Sequence, residues 1–418
     1  MKFTIIGAGS SYTPEILERL SAMREELPVT ELTLMDINEE RLNIVSGFCK
    51  RYAKHLGLDL SFSQATTLEE ALPGSDFIIV QIRVGGNAAR VNDEKIPLSF
   101  GVVGQETTGP GGFMKALRTI PAMLEIAHAV EEYCPDAWII NYTNPTGIVA
   151  EAVNKYSKAK IAGLCAGGLN GRNWTAMGLN VDPKSVRYDL AGLNHMNFAY
   201  NITINGKPLT EEQFRTVATY RGEADAELCI KLGGLPSPYL QYYFHTAKRV
   251  KELQEKKLSR AEEVLLVEKE VYHDYADPNC DTKPASIQKR GGGGYSEIAL
   301  DVISAIYNNK DSWNTVNVPN RGTISWLPDD AVIETACMIN AAGIHPIQMA
   351  PIPPAVRGLI CAVKNYEQLA VEAAVTGSVA TAELALLAHP LVGDWELVKA
   401  MLPKLLEANR PWLKNFNL

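Results

Sequence analysis

The sequence predicts an α/β protein: a Rossmann-type, doubly wound parallel sheet followed by a mixed α+β domain. Three observations carry this. A short apolar run at residues 2–6 enters a Gly-x-Gly turn, further apolar runs alternate with helical stretches as far as residue 165, and the texture changes after Leu193. Strands that alternate with helices need crossovers, which leave the strands parallel and put helices on both faces. A chain of 418 residues exceeds the usual single-domain size, so two domains are expected, 1–190 for nucleotide binding and 191–418 for substrate and metal.

The elements follow in order. Residues 2–6 are β-rich, and residues 14–23 place Ile16, Leu17 and Leu20 on one helical face. Residues 31–36 alternate as a second strand, with further strands at 77–82, 138–141 and 160–164 and a long helix at 113–133. Beyond Leu193, residues 198–208 read as a hairpin closed by Asn205-Gly206. Charge-rich helices are expected over 211–275, a close-approach glycine loop at 291–294, and helices at 295–307, 367–387 and 394–409.

Composition narrows the function. The chain is 46% hydrophobic and 21% charged, with no run of eighteen apolar residues, so no membrane span is expected. The formal charge of −8 argues against broad contact with nucleic acid while permitting a small cationic pocket. Seven scattered cysteines form no CxxC pair, so neither a disulfide framework nor a structural zinc site is indicated. With no signal-like N-terminus, a cytoplasmic location is expected.

Gly7-Ala8-Gly9-Ser10-Ser11 follows the first strand. Such a turn lets the backbone approach a pyrophosphate, whose charge the following helix N-terminus attracts. Tyr12 takes the place of the third glycine in GxGxxG. Asp36, 27 residues beyond Gly9, is suited to a ribose and repels a 2′-phosphate, which favours NAD over NADP. Arg83 and Arg90 flank Gly85-Gly86 at a strand's carboxyl end, a place suited to an anion. Residues 104–113 form a polar loop too glycine-rich for a core, and Asn144 opens an Asn-Pro-Thr-Gly segment where an amide can meet a sugar hydroxyl or nicotinamide. Cys165 ends the fifth strand and His195 begins the second domain; thiolate, imidazole and substrate oxygens make an open site for a divalent transition metal. A buried thiol and a satisfied core histidine account for the same pair.

Taken in order, residues 7–15 (GAGSSYTPE), 83–92, 104–113 (GQETTGPGGF), 144–147 (NPTG), 163–165, 192–195 (GLNH), 289–292, 316–321 (VNVPNR), 327–330 and 388–391 resemble glycoside hydrolase family 4. The resemblance covers nearly the whole chain and implies a malate-dehydrogenase-like fold and a glycosidase that uses NAD and Mn²⁺ or another divalent metal. It implies hydride transfer from sugar C3 to NAD, loss of the acidified C2 proton to a base, and elimination of the C1 substituent. Water then adds and the hydride returns, a route distinct from hydrolysis by paired carboxylates. On this resemblance Cys165 and His195 are metal ligands, Asn144 contacts substrate, and Tyr239 is the C2 base, with Tyr242 and Tyr243 as neighbours of the same kind. A tyrosine with an ordinary pKa of about 10 needs a cation nearby to act so. Arg90, Lys289 and Arg290 are the candidates for a 6-phosphate, and a homodimer or homotetramer is implied.

One position departs from the pattern. The residue after the cysteine is usually Asn in the family's 6-phospho-β-glucosidases, Asp in its 6-phospho-α-glucosidases and His in several members acting on other sugars. Here it is Ala166, which donates neither a proton nor a hydrogen bond. The resemblance of the TTGPGGF and RGGGGYSE stretches leans toward a 6-phospho-β-glucoside as substrate. Unphosphorylated or α-linked sugars, a 2-hydroxyacid dehydrogenase of the same fold, and an NAD-binding sensor without activity stay open.

Overall fold

The computed structural model describes residues 1–220, 226–290 and 294–418. Its strands are β1 (Lys2–Ile6), β2 (Glu31–Met35), β3 (Ser61–Ala65), β4 (Phe77–Val80), β5 (Trp138–Asn141), β6 (Lys160–Gly163), β7 (Val186–Leu193), β8 (Met196–Ile204), β9 (Lys207–Pro208), β10 (Gly234–Pro236), β11 (Ser312–Pro319), β12 (Val332–Asn340) and β13 (Gly343–Pro346). One sheet runs β13-β12-β11-β6-β5-β4-β1-β2-β3. From β3 to β6 its strands are parallel, in the 3-2-1-4-5-6 order of a dinucleotide-binding sheet. Alternate residues face two cores: Phe3, Ile5, Leu32 and Leu34 pack on one side, while Ile6, Ile78, Val80 and Ile139 pack on the other. Side chains that alternate along strands buried on both faces give the near-continuous apolar runs visible in the sequence.

Two features differ from expectation. The strand β3 was not foreseen: SFSQA is a mostly exposed edge strand with no apolar alternation, held in register by Leu32↔Phe62 and Leu34↔Gln64. The polar loop at 104–113 is in part a helix, since Gly109–Tyr133 is helical and Gly109, Gly111 and Gly112 are buried. The glycines are needed for contact: a Cβ on Gly111 would meet Gln105 O at 2.3 Å, and one on Gly112 would meet the Thr107 carbonyl carbon at 2.5 Å. The helix start thereby presses on residues 105–107 and fixes them.

The sheet crosses the division at 190. Strand β11 joins β6 antiparallel through Asn317↔Gly163 and carries β12 and β13 with it. A second sheet, β10-β8-β7 with β9 beside β8, holds the hairpin closed by Asn205 (φ +50°) and Gly206 (φ +76°), both left-handed as a two-residue turn requires. The expected glycine loop at 291–294 lies outside the described residues except for Gly294, whose N–H donates to Glu15 Oε1 at 2.8 Å. Among the described residues no helix is long and apolar enough to cross a membrane.

Candidate active site

The carboxyl ends of β1, β2 and β4 build the nucleotide turn. Gly7 takes φ +84°, and its N–H and that of Ala8 donate to Met35 O at 2.9 Å. A Cβ on Gly7 would meet Gln81 O at 2.9 Å, and one on Gly9 would meet Asp36 Oδ2 at 2.8 Å, so only glycine lets the turn lie this low. Asp36 accepts from Gly9 N–H at 2.8 Å and from Asn38 N–H at 2.9 Å. Ser10 Oγ accepts from Tyr12 N–H at 3.3 Å. Among the described residues the buried Ser11 Oγ has no hydrogen-bond partner, while the Ser11 carbonyl accepts from Tyr275 Oη. Tyr12 lies under the Arg290 guanidinium, 3.9 Å from its ring centre, which accounts for an aromatic residue where a glycine is usual. This low, open turn suits a dinucleotide pyrophosphate.

Three predicted residues from distant parts of the chain meet beyond the turn. Cys165 Sγ lies 3.4 Å from His195 Nε2, and the Tyr239 ring stacks on the imidazole at 3.6 Å with the planes 5° apart. His195 sits in the two-residue turn between β7 and β8 with φ +62°. Its Nδ1 is 2.9 Å from Thr107 Oγ1. Because the Thr107 hydroxyl donates to Gln105 Oε1 at 2.9 Å, its oxygen is free to accept Nδ1–H, and the lone pair of Nε2 is aimed at the sulfur. Two ligands bonded at about 2.3 Å (sulfur) and about 2.1 Å (nitrogen) to one cation lie roughly 3.1–3.6 Å apart. The pair therefore fits a divalent metal. Among the described residues no cluster of three or more His, Cys, Asp or Glu could hold one.

Burial governs the charges at this point. It pushes the Cys165 thiol up to about 12, helped by Glu334, and pushes His195 down to about 3. Burial, Cys165 and the neighbouring tyrosines hold Tyr239 well above its ordinary value. The metal-free site is thus neutral at these three groups, and a bound dication would release the thiol proton and favour the phenolate.

The arginines at the end of β4 meet an internal anion. Glu106 takes Arg83 Nη1 at 2.5 Å, Lys115 Nζ at 2.8 Å and Arg90 Nη1 at 3.1 Å. Burial raises its carboxyl, but the three cations outweigh that and hold it well below the usual range. Arg90 also donates through Nε to Glu94 at 2.7 Å, so much of its fork is committed within the protein. Asn144, at the end of β5, accepts from Thr146 Oγ1 at 3.5 Å. Arg290 pairs with Glu268 at 2.9 Å beside the nucleotide turn. Lys289 is not brought to the site: its side chain is 62% exposed and pairs with Glu270, two residues and therefore about 200° round the helix from Glu268.

Sequence reasoning gave no role to Glu106, Thr107 or Glu334. The first two lie within the GQETTGPGGF stretch, but only the fold shows that Glu106 meets three cations and Thr107 the His195 imidazole. The signal for Glu334 was the one charged residue in β12, where Val332, Ile333, Ala336, Cys337 and Ile339 are buried.

Comparison with known proteins agrees with this arrangement. The family 4 glycosyl hydrolase model matches residues 2–173, and that of the family's C-terminal domain matches residues 190–392. A probable 6-phospho-β-glucosidase from Bacillus subtilis is 40% identical over 100% of this chain and 98% of its own length. The 6-phospho-β-glucosidase of Thermotoga maritima, solved with manganese, NAD⁺ and glucose-6-phosphate, superposes with a TM-score of 0.91 at 34% identity, covering 99% of each chain. A malate dehydrogenase from Plasmodium falciparum shares the fold alone, with a TM-score of 0.54 at 16% identity over 90% of this chain and 98% of its own. The chain belongs to the family 4 glycosyl hydrolases, and its Rossmann sheet with a mixed second half is that family's fold.

Proposed function

We propose that this glycoside hydrolase cleaves 6-phospho-β-glucosides with NAD at the Gly7–Ser11 turn and Mn²⁺ at Cys165 and His195. The observation that carries the reading is the 3.4 Å approach of Cys165 Sγ to His195 Nε2 with Tyr239 stacked against the imidazole. Its support from relatives is the 40% identity to a probable 6-phospho-β-glucosidase and the manganese, NAD⁺ and glucose-6-phosphate in the Thermotoga structure. When bound, NAD would supply a reversible hydride acceptor and the cation at Cys165 and His195 a Lewis acid for the sugar oxygens.

The chain's own residues do the rest. Gly7, Gly9, Ser10 and Ser11 shape the turn for the pyrophosphate, and Asp36 faces the ribose. Tyr239 takes the C2 proton, its phenol made acidic by the charge beside it. Asn144 orients the sugar from the end of β5. Arg290, and Arg90 through the fork left by Glu94 and Glu106, attract the 6-phosphate. Ala166 brings no acid to the leaving group, so substrates whose aglycone leaves readily suit the site best. A phosphorylated substrate and seven free thiols accord with a cytoplasmic setting, and the enzyme is read as a homo-oligomer on the family resemblance.

The test is turnover of aryl 6-phospho-β-glucosides with and without NAD and Mn²⁺. The reading expects activity only with both present and no accumulation of NADH. Net NADH formation on a 2-hydroxy acid, or equal turnover without NAD, contradicts it.

A further inference from the structure

We propose that Glu334 is the positioning residue of the active site, one buried carboxyl that sets the mutual placement of Cys165, His195 and Tyr239; the inference rests on reading Cys165 and His195 as the metal pair. Glu334 is 1% exposed and, among the described residues, has no ion pair. Its partners are three amides: Asn194 Nδ2 donates to Oε1 at 3.3 Å, Asn317 Nδ2 to Oε1 at 3.1 Å, and Asn197 Nδ2 to Oε2. A carboxyl buried without a cation is disfavoured even when hydrogen-bonded. Gluing strands together would be done more cheaply by apolar side chains.

Each amide leads to a different site residue. Asn317 lies opposite both Glu334 and Gly163, and its Nδ2 also donates to Gly163 O at 3.1 Å, two residues before Cys165. Asn194 opens the turn that carries His195, and its amide also faces the Cys165 sulfur. Asn197 accepts Ser237 N–H on its carbonyl at 2.9 Å, two residues before Tyr239. The surrounding glycines are cut to fit this hub. A Cβ on Gly163 would meet Asn317 Cβ at 2.9 Å, and one on Gly147 would meet Asn194 Cβ at 3.1 Å.

Carboxylate oxygens accept from all three amides, whereas a glutamine would oppose its own NH₂ to at least one of them. Glu334→Gln keeps the shape and breaks the hub, and the readout is metal binding rather than activity. Co²⁺ serves as probe, because a thiolate ligand gives it a sulfur-to-cobalt absorption band and its visible spectrum reports coordination geometry. In E334Q, Co²⁺ affinity is expected to fall by roughly 10–100-fold, as for other residues that orient metal ligands, with an altered visible spectrum and unchanged NAD affinity. Wild-type Co²⁺ affinity and spectrum in E334Q overturn the proposal. If E334Q does not fold, Asn197→Ser, which removes one amide from the carboxyl and leaves Asn194, Asn317 and the backbone bond to Ser237 in place, carries the same expectation and the same refutation. C165S should lack the sulfur-to-cobalt band. A wild-type protein without that band overturns the metal reading and this inference together, while a band present in wild type and unaltered in E334Q overturns the inference alone.

Discussion

At the scale of single residues, positions that look alike in the sequence part in the fold. Lys289 and Arg290 are neighbours, yet one faces outward to Glu270 and the other lies over Tyr12. Lys289→Ala should leave KM for a 6-phosphorylated substrate unchanged, while Arg290→Ala should raise it about tenfold or more, the scale of a lost charge-assisted bond; steady-state kinetics on the two variants decides. Ala166 offers a second comparison. On the family resemblance the residue after Cys165 faces the leaving group, so Ala166→Asn should speed turnover of alkyl relative to aryl glycosides by roughly fivefold, about 1 kcal/mol; an unchanged ratio counts against that placement. Cys165, His195 and Tyr239, which the fold brings together, were legible as candidates because each lies in a stretch that carries the family resemblance. Glu106 was not, because a carboxylate among Arg83, Arg90 and Lys115 is evident only when helix and loop are packed together.

At the scale of elements, the seam between β6 and β11 joins the two halves of the chain at the site. Gly163→Ala should push Asn317 off its bonds and destabilise the fold by about 1–3 kcal/mol, the usual cost of overpacking, measurable by denaturant unfolding. A change within about 0.5 kcal/mol would mean the seam is slack. The parallel strands were legible because burial on both faces demands apolar runs. Strand β3 was not, since an edge strand drawn from SFSQA owes its existence to its pairing with β2. The start of the helix Gly109–Tyr133 was hidden for a related reason: its glycines answer to close contact with residues 93, 105 and 107, a demand that no local propensity records.

For the whole molecule, burial of charge predicts how stability follows pH. His195 and His389 are both pushed by burial to about 3. Unfolded histidine gains its proton near 6.5, so each costs stability as pH falls from there toward 3. Glu334 and Glu367 are pushed by burial up to about 7. They take up protons in the folded state before the unfolded chain does, and so add stability as pH falls from 7 to the usual glutamate range. The metal-free protein should therefore hold a nearly level unfolding free energy between pH 6.5 and about 4.5. Below that it should lose roughly 1 kcal/mol per pH unit per histidine, joined by the loss from Glu106. A steady decline beginning at pH 6.5 in urea titrations would contradict this balance. The return of β11 to β13 to the first sheet, across the expected division at 190, was not legible, because antiparallel addition at a sheet edge leaves no mark on periodicity. On the proposed function a hydride is lent and returned while Tyr239 removes the C2 proton. Hydrolysis of an aryl 6-phospho-β-glucoside in D₂O with NAD and Mn²⁺, followed by NMR of the sugar product, tests it most directly: deuterium at C2 is the predicted result, and protium alone at C2 would contradict the account.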